Sequence, residues 1–174
     1  VRSHMGPTLQ TREQFRQRYA LYKSDANLQA SHAHCPWLMT WDDHEVSNNY
    51  AGWEPSKSSI DDMKALRAAA YQAYYEHMPL RVPLGEDRSR LKIYRNLQYG
   101  DLVNLYVLDG RQYRSGIICD GEIADPCDEA LSADESMLGE DQKRWLISRM
   151  KESTSRWNAI CQQTVFSSVN FGNA

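Results

Sequence analysis

The chain has 174 residues, of which 41% are hydrophobic and 25% are charged, and its formal net charge is -3. This length is enough for one domain with a sizeable core, and the slightly acidic charge argues against a platform for nucleic acid. The sequence contains no apolar run of the ~20 residues that a membrane span needs, and its first residues lack the apolar core of a signal peptide.

The first third of the chain predicts two helices and a strand. A capping box at Thr11, followed by aromatic residues at helical spacing, predicts a helix that ends near Lys23. Asp25 can begin a second, short helix that runs through His32. The run 37–41 is apolar and rich in aromatic residues, which is typical of a buried strand.

The rest of the chain predicts a helix, a hairpin, another helix and a last strand. Ser59, with Asp62 three residues later, is typical of a helix start, and Gly100-Asp101 between two apolar runs is a strong hairpin signal. The expected elements are a helix from residue 59, strands over 91–99 and 102–108, a helix over 139–153 and a strand over 157–166. This alternation predicts an α/β layered sandwich with a mixed sheet.

The four cysteines do not form the CxxC pairs that are typical of a structural zinc site. Cys119 and Cys127 flank one short polar loop, and their spacing suits a local disulfide, which would imply export. The alternative is two exposed reduced thiols. Cys35 and Cys161 lie in apolar settings and are expected to be core residues.

Immediately after the predicted strand over 37–41 come four consecutive ionisable residues: Asp42, Asp43, His44 and Glu45. In α/β sheets, ligands and catalytic groups collect at the carboxyl ends of strands. Two adjacent carboxylates are costly to hold together unless a cation or a phosphate balances them, and hard cations prefer carboxylate oxygens. The histidine could ligate a metal, donate a proton or neutralise charge on a phosphoryl group. The alternative is a solvated turn in which Asp42 or Asp43 caps a helix.

A second group of charged residues follows the predicted strand over 102–108. Arg111 could contact a substrate phosphate, because the guanidinium group suits phosphate geometry. The alternative is an ion pair between Arg111 and Asp109. Asn49 could line the mouth of the substrate site, or it could simply form a turn.

Six runs of residues, in order along nearly the whole chain, resemble one protein family. The runs Trp-Asp-Asp-His-Glu-Val at 41–46 and Asn-Asn-Tyr-Ala-Gly at 48–52 resemble the signature of the PhoD-like alkaline phosphatases and phosphodiesterases. The other blocks that resemble this family lie at 18–25, 68–79, 108–114 and 137–146.

The resemblance implies the calcineurin-like metallophosphoesterase fold and an enzyme that hydrolyses phosphoesters. It assigns metal binding to Asp43, with Asp42 as the adjacent carboxylate, and a phosphate-facing catalytic role to His44. It also implies calcium and iron as the metal ions, a phosphoester as the substrate, and an exported protein that is periplasmic or extracellular. Neither the residues nor the resemblance indicates an oligomeric state.

Two blocks of the family, Gly-Asp-Tyr-Ile-Tyr upstream and Thr-Gly-Asp-x-His downstream, do not occur in this sequence. One block of ligands cannot hold two metal ions. We therefore expect residues 1–174 to be an internal segment of a single metallophosphatase catalytic domain and to be inactive alone.

The alternative function is a non-catalytic domain, which is either degenerate and phosphatase-like or binds a cell-envelope ligand through its aromatic residues. Trp37, Trp145 and Trp157 are expected on the apolar faces of their elements. That expectation argues against an exposed aromatic platform.

Overall fold

The structure is a computed structural model that describes residues 6–53, 59–119 and 127–166. Its elements in chain order are α1 (Arg12–Lys23), α2 (Ala26–His34), α3 (Ile60–His77), β1 (Arg95–Tyr99), β2 (Val103–Val107), a short 3-10 helix (Asp128–Leu131), α4 (Gly139–Glu152) and β3 (Trp157–Cys161). The strand order is β1-β2-β3, with β1 antiparallel and β3 parallel to β2. The prediction of an α/β chain with a mixed sheet is confirmed.

The helix starts follow the capping signals in the sequence. Thr11 Oγ1 accepts a hydrogen bond from the Gln14 amide at 3.3 Å, and Ser59 Oγ accepts one from the Asp62 amide at 3.1 Å. The carboxylate of Asp25 accepts two amide hydrogen bonds at the start of α2. Each cap satisfies N–H groups that the first helical turn leaves without a partner, so these local signals define where the helices begin.

Helices α1 and α3 are joined by an ion pair between Arg16 and Glu76. The guanidinium donates from Nε to Oε2 and from Nη2 to Oε1, both at 2.6 Å. These hydrogen bonds to the ionised carboxylate lower the pKa of Glu76 to about 2. The pair thus fixes the packing of α1 on α3 beside the apolar contacts.

Two apolar clusters form the core. The larger one joins α1 and α3 to the loops that precede the sheet: Phe15, Trp41, Val46, Tyr50, Met63, Ala70, Tyr71, Ala73, Tyr74, Val82, Leu91 and Ile93. The smaller one packs α4 on β2: Tyr106, Leu108 and Leu146, with Leu138 and Trp145 at its edge. In the described part of the chain, α4 therefore packs on one face of the sheet, whereas α3 packs mainly on α1 and the loops.

The prediction of a buried strand over 37–41 is wrong. These residues do not pair with the sheet, and only the last of them is buried. Side chains hold the segment instead: Arg95 donates to the Met39 carbonyl at 3.0 Å, and Thr40 Oγ1 donates to the Leu108 carbonyl at 2.7 Å. The segment is apolar because it leads into the core at its carboxyl end.

The face of the sheet opposite α4 is exposed at the end that carries Tyr99 and Trp157, whereas Val107 at its other end is buried. Strand alternation puts Tyr99, Val103 and Trp157 in one row on this face, away from the buried Tyr106. Tyr99 is 61% exposed and Trp157 is 63% exposed. We call this surface the open sheet face. The prediction that Trp157 points inward is therefore wrong, and Trp157 no longer argues against an exposed aromatic platform.

Other boundaries and burial predictions also need correction. The strand predicted over 157–166 ends at Cys161, and the strand predicted over 91–99 begins only at Arg95. Cys35 is exposed, because α2 has no buried face for it to join. None of the described helices is long and apolar enough to cross a membrane.

Candidate active site

Residues 42–49 form a tight turn rather than the start of a helix. The Asp43 carbonyl accepts hydrogen bonds from the amides of Val46 and Ser47, both at 2.9 Å. The Asp42 amide donates to Glu45 Oε2 at 2.8 Å. We call this segment the acidic turn. It places Asp42 and Asp43 side by side without using either as a helix cap.

Asp43 is a buried carboxylate within the acidic turn, only 8% exposed. Its Oδ2 accepts the Asn49 amide at 2.7 Å, and its Oδ1 lies 3.8 Å from Nη2 of Arg111. Burial alone would raise the pKa of Asp43, but the Asn49 amide and the Arg111 charge outweigh it and lower that pKa. Asn49 has a φ of 55°, a left-handed conformation that asparagine tolerates better than most residues. Asp43 is therefore ionised at neutral pH.

Arg111 supplies the cation that balances the two adjacent carboxylates. Its side chain is 10% exposed, and Nε donates to Oδ1 of Asp42 at 2.7 Å. The guanidinium thus pairs with Asp42 rather than with Asp109, which corrects the alternative drawn from the sequence. Asp109 instead accepts the backbone amide of Arg111 at 3.0 Å.

His44 projects from the acidic turn into solvent, with its side chain 74% exposed. Its Nε2 lies 2.9 Å from Oδ1 of Asn48 and 3.7 Å from Oδ2 of Asp43. A cavity of about 600 Å³ opens beside the ring, and its other walls include Tyr19 and Trp37. The geometry leaves His44 free to meet a ligand while Asp43 stays fixed beneath it.

Asp109 is a framework residue whose role the sequence did not reveal. It is fully buried, and its Oδ1 accepts from Trp41 Nε1 at 3.0 Å, from the Arg111 amide at 3.0 Å and from the Gln112 amide at 2.9 Å. Its Oδ2 accepts from Gln112 Nε2 at 3.0 Å. One carboxylate therefore connects the segment before the acidic turn to the segment that carries Arg111.

Arg67 is a second buried residue that sequence reasoning missed. It belongs to α3 and is 0% exposed, with Nη1 donating to the Gly52 carbonyl at 2.7 Å and Nη2 donating to Gln112 Oε1 at 3.0 Å. Its guanidinium carbon lies 3.8 Å from the centre of the Trp53 ring. An arginine four residues after Met63, within the apolar stripe of the helix, was the available clue.

We expect Gly52→Ala to destabilise the protein by about 1–3 kcal/mol. Gly52 has a φ of 51°, and a Cβ there would lie 2.8 Å from the Arg114 carbonyl oxygen. Chemical denaturation measures the loss, with Gly85→Ala as the matched control because a Cβ at Gly85 meets nothing within 4 Å. Equal effects of the two substitutions would show that the backbone at Gly52 is not constrained in this way.

The donor atoms of the acidic turn are of the kinds that metal ions take, but they are few. One oxygen of Asp42 already accepts from Arg111, and one oxygen of Asp43 accepts from Asn49. Across residues 6–53, 59–119 and 127–166, no group of three or more His, Cys, Asp or Glu side chains is arranged to hold a metal ion. These residues alone do not fit a bound metal, and we derive no metal-dependent step from them.

Cys119 and Cys127 are joined by a disulfide, with their Cα atoms 5.8 Å apart. This is the pairing that their spacing suggested, and the distance lies within the usual range for disulfides. Cys119 has a φ of 52°, so the backbone turns sharply where the bridge begins.

Comparison with known proteins shows one consistent relationship. The family model described as PhoD-like phosphatase matches residues 1–174. Alkaline phosphatase D of Bacillus subtilis (strain 168) is 44% identical over 175 residues, a match that covers 100% of this chain and 30% of that protein. A solved structure of PhoD matches with a TM-score of 0.93 and 44% identity, over 99% of this chain and 33% of that one.

The chain therefore spans about a third of the length of these relatives. The match to the solved structure covers the helices and the mixed sheet together with the acidic turn. Since the family model extends over the whole sequence, the chain belongs to the PhoD-like phosphatase family.

Proposed function

We propose that the chain forms part of the catalytic domain of a phosphoester hydrolase, and that the acidic turn supplies one corner of its active site. The observation that carries this proposal is the fixed, ionised carboxylate of Asp43 beneath the exposed ring of His44. A buried carboxylate next to an exposed imidazole, at the edge of a cavity, suits a site that binds a phosphate group. Family membership supplies the chemical class.

Asp43 is proposed as a metal ligand, with Asp42 as the adjacent carboxylate. Hard cations such as calcium take carboxylate oxygens, and Asp43 offers them already ionised and held in place. The remaining ligands would come from residues other than those described. Calcium and iron are proposed as the ions from the family resemblance alone.

His44 is proposed to face the phosphoryl group, where it can donate a proton or neutralise developing charge. Arg111 and Asn49 are proposed as substrate contacts. Arg111 uses Nε and Nη2 towards Asp42 and Asp43, and Nη1 has no hydrogen-bond partner among the described residues. Asn49 is exposed, and its backbone amide donates to Asp43, which supports this proposal for Asn49.

Residues 1–174 are proposed to be an internal segment of one catalytic domain. The open sheet face supports this, because its exposed Tyr99 and Trp157 form an apolar surface of the kind that proteins usually cover. The relatives are about three times as long as the chain. Export to the periplasm or the cell exterior is proposed from the family, and the disulfide between Cys119 and Cys127 is compatible with it.

The proposal is tested by assaying the full-length protein on 4-nitrophenyl phosphate and on bis(4-nitrophenyl) phosphate. We expect hydrolysis of at least one ester, loss of activity after chelation, and recovery when metal ions are returned. Residues 1–174 alone are the control and should not exceed the protein-free rate. Failure of the metal-loaded protein to hydrolyse either ester contradicts the proposal. If residues 1–174 alone hydrolysed an ester and Asp43→Ala abolished that activity, the assignment of the site to a larger domain would be contradicted.

A further inference from the structure

A second cavity, of about 370 Å³, is lined in part by the residues that directly follow the acidic turn, and it is rich in arginine. Its lining includes Arg67, Arg90 and Arg114, together with Trp53 and Ser115. We call it the arginine cavity. None of the described residues that line it is acidic. It is separate from the cavity beside His44, with which it shares no lining residue.

The charge of Arg67 in this cavity has no contacting carboxylate among the described residues. Its hydrogen bonds go to a backbone carbonyl and to the amide oxygen of Gln112, and its face lies on Trp53. Its Nε is buried and has no hydrogen-bond partner. Ring and carbonyl contacts stabilise a guanidinium without cancelling its charge, and Asp87 interacts with Arg67 without forming an ion pair with it.

Arg90 and Arg114 add to this positive charge. Arg90 is paired with Asp87 at 3.4 Å and lies over the ring of Trp53. Arg114 is partly buried and makes no ion pair with any residue that the structure describes. Burial and the nearby Arg111 lower the pKa of Arg114, while the charges of Asp42 and Asp43 act in the opposite direction.

The arginine cavity is connected to the acidic turn through a short backbone segment. Arg111, which contacts Asp42 at 2.7 Å, accepts the Gly52 amide on its own carbonyl at 2.9 Å. Gly52 lies in the cavity wall, and Arg114 follows Arg111 by three residues. The charge of Arg114 also interacts with Asp42 and with the neighbouring carboxylate. A ligand bound at the acidic turn could therefore extend towards the cavity.

We propose that the arginine cavity binds a second anionic group of the substrate, a phosphate set apart from the phosphate that reacts. Guanidinium groups bind phosphate oxygens through paired N–H donors, and an anion in the cavity would give Arg114 the contacting partner that it does not have among the described residues. This inference rests on the proposed function, since it takes the acidic turn as the place of the reacting phosphate. It narrows the substrate class to phosphoesters that carry a further anionic group.

The test is a calorimetric titration of the full-length protein with two ligands that cannot be hydrolysed: propane-1,3-diphosphonate and propylphosphonate. We expect the diphosphonate to bind more tightly than the monophosphonate. Arg114→Gln should raise the Kd of the diphosphonate by about 10- to 100-fold, the size of a lost charge-assisted contact. The Kd of propylphosphonate should stay within about two-fold, because that ligand does not reach the cavity.

Three further variants make the result specific. Arg90→Gln, at an exposed position, should weaken diphosphonate binding in the same direction but by less, because Asp87 already balances this charge. The matched control is Arg88→Gln, which removes an exposed arginine outside the cavity lining and should change neither Kd. Arg114→Lys should keep part of the preference, since the charge remains but the paired donors do not.

Equal affinity of the wild-type protein for the two phosphonates overturns the proposal. It is also overturned if Arg114→Gln weakens both ligands equally, because the arginine would then act on the reacting phosphate. The titration does not depend on turnover. A protein that fails to hydrolyse phosphoesters but shows an Arg114-dependent preference for the diphosphonate retains the anion site and loses only the proposed reaction.

Discussion

Replacing His44 by alanine is expected to lower the turnover of the full-length protein by about 10²- to 10⁴-fold, the usual size of a lost acid–base or electrostatic contribution. The side chain is 74% exposed and its Nε2 lies near Asn48 and Asp43 at the surface, so its removal should not disturb the fold. Asp43 keeps its hydrogen bond from Asn49 in this variant, so the carboxylate that we propose as a ligand stays in place.

Steady-state kinetics on an aryl phosphate measure the effect of His44→Ala. A matched control is His34→Ala, which removes another exposed histidine that lies at the end of α2, outside the cavity beside His44. Turnover of the control should remain near that of the wild type. If His44→Ala also turned over substrate at a near-normal rate, His44 would have no catalytic role.

Replacing Asp109 by alanine is expected to destabilise the protein by about 3–5 kcal/mol, which is the range for breaking a buried hydrogen-bond network. The substitution leaves Trp41 Nε1, the amides of Arg111 and Gln112, and the Gln112 side-chain amide without their acceptor. Burial of the Asp109 carboxylate raises its pKa, and this cost offsets part of the stability that the hydrogen-bond network contributes. The hydrogen bonds that Asp109 accepts favour its ionised form.

Chemical denaturation of Asp109→Ala and the wild type measures the difference in unfolding free energy. Asp109→Asn should lie between them, because it keeps one acceptor oxygen but turns an NH₂ group towards Gln112 Nε2. Asp134→Ala, at an exposed position, is the control and should change stability by less than about 0.5 kcal/mol. A loss below about 1 kcal/mol for Asp109→Ala would mean that the network relaxes around water.

Local sequence signals predicted the elements that depend on local chemistry. Thr11 and Ser59 begin helices because their side chains satisfy amides three residues away, and this can be recognised without tertiary structure. Gly100 turns the hairpin with a φ of 54°, which is equally local. The acidic turn was located for the same reason, since its four ionisable residues are consecutive.

The contacts that organise the candidate site could not be predicted, because they join distant parts of the chain. Arg111 pairs with Asp42 across 69 residues, and Asp109 accepts from Trp41 across 68. A sequence pattern specifies which residues are charged but not which charges meet. The nearest partner in sequence, Asp109, was therefore the natural but incorrect choice for the Arg111 guanidinium.

The error over 37–41 has a related cause. An apolar, aromatic-rich run is typical of a buried strand, yet strand formation also requires an adjacent strand with free backbone groups. Among the described residues, the segment is held by side chains of Arg95 and Thr40 and not by a strand ladder. The composition correctly indicated that the segment is apolar. It wrongly indicated that the backbone of the segment is hydrogen-bonded in a strand ladder.

The metal content of the full-length Asp43→Asn variant tests most directly whether Asp43 builds the active site. Asparagine keeps an oxygen to accept the Asn49 amide but removes the negative charge, so the turn should survive while a hard cation loses an anionic ligand. We predict that metal per protein and turnover both fall in Asp43→Asn, whereas His44→Ala loses turnover and keeps its metal. Wild-type metal content with near-normal turnover in Asp43→Asn would contradict the assignment of the acidic turn to the active site.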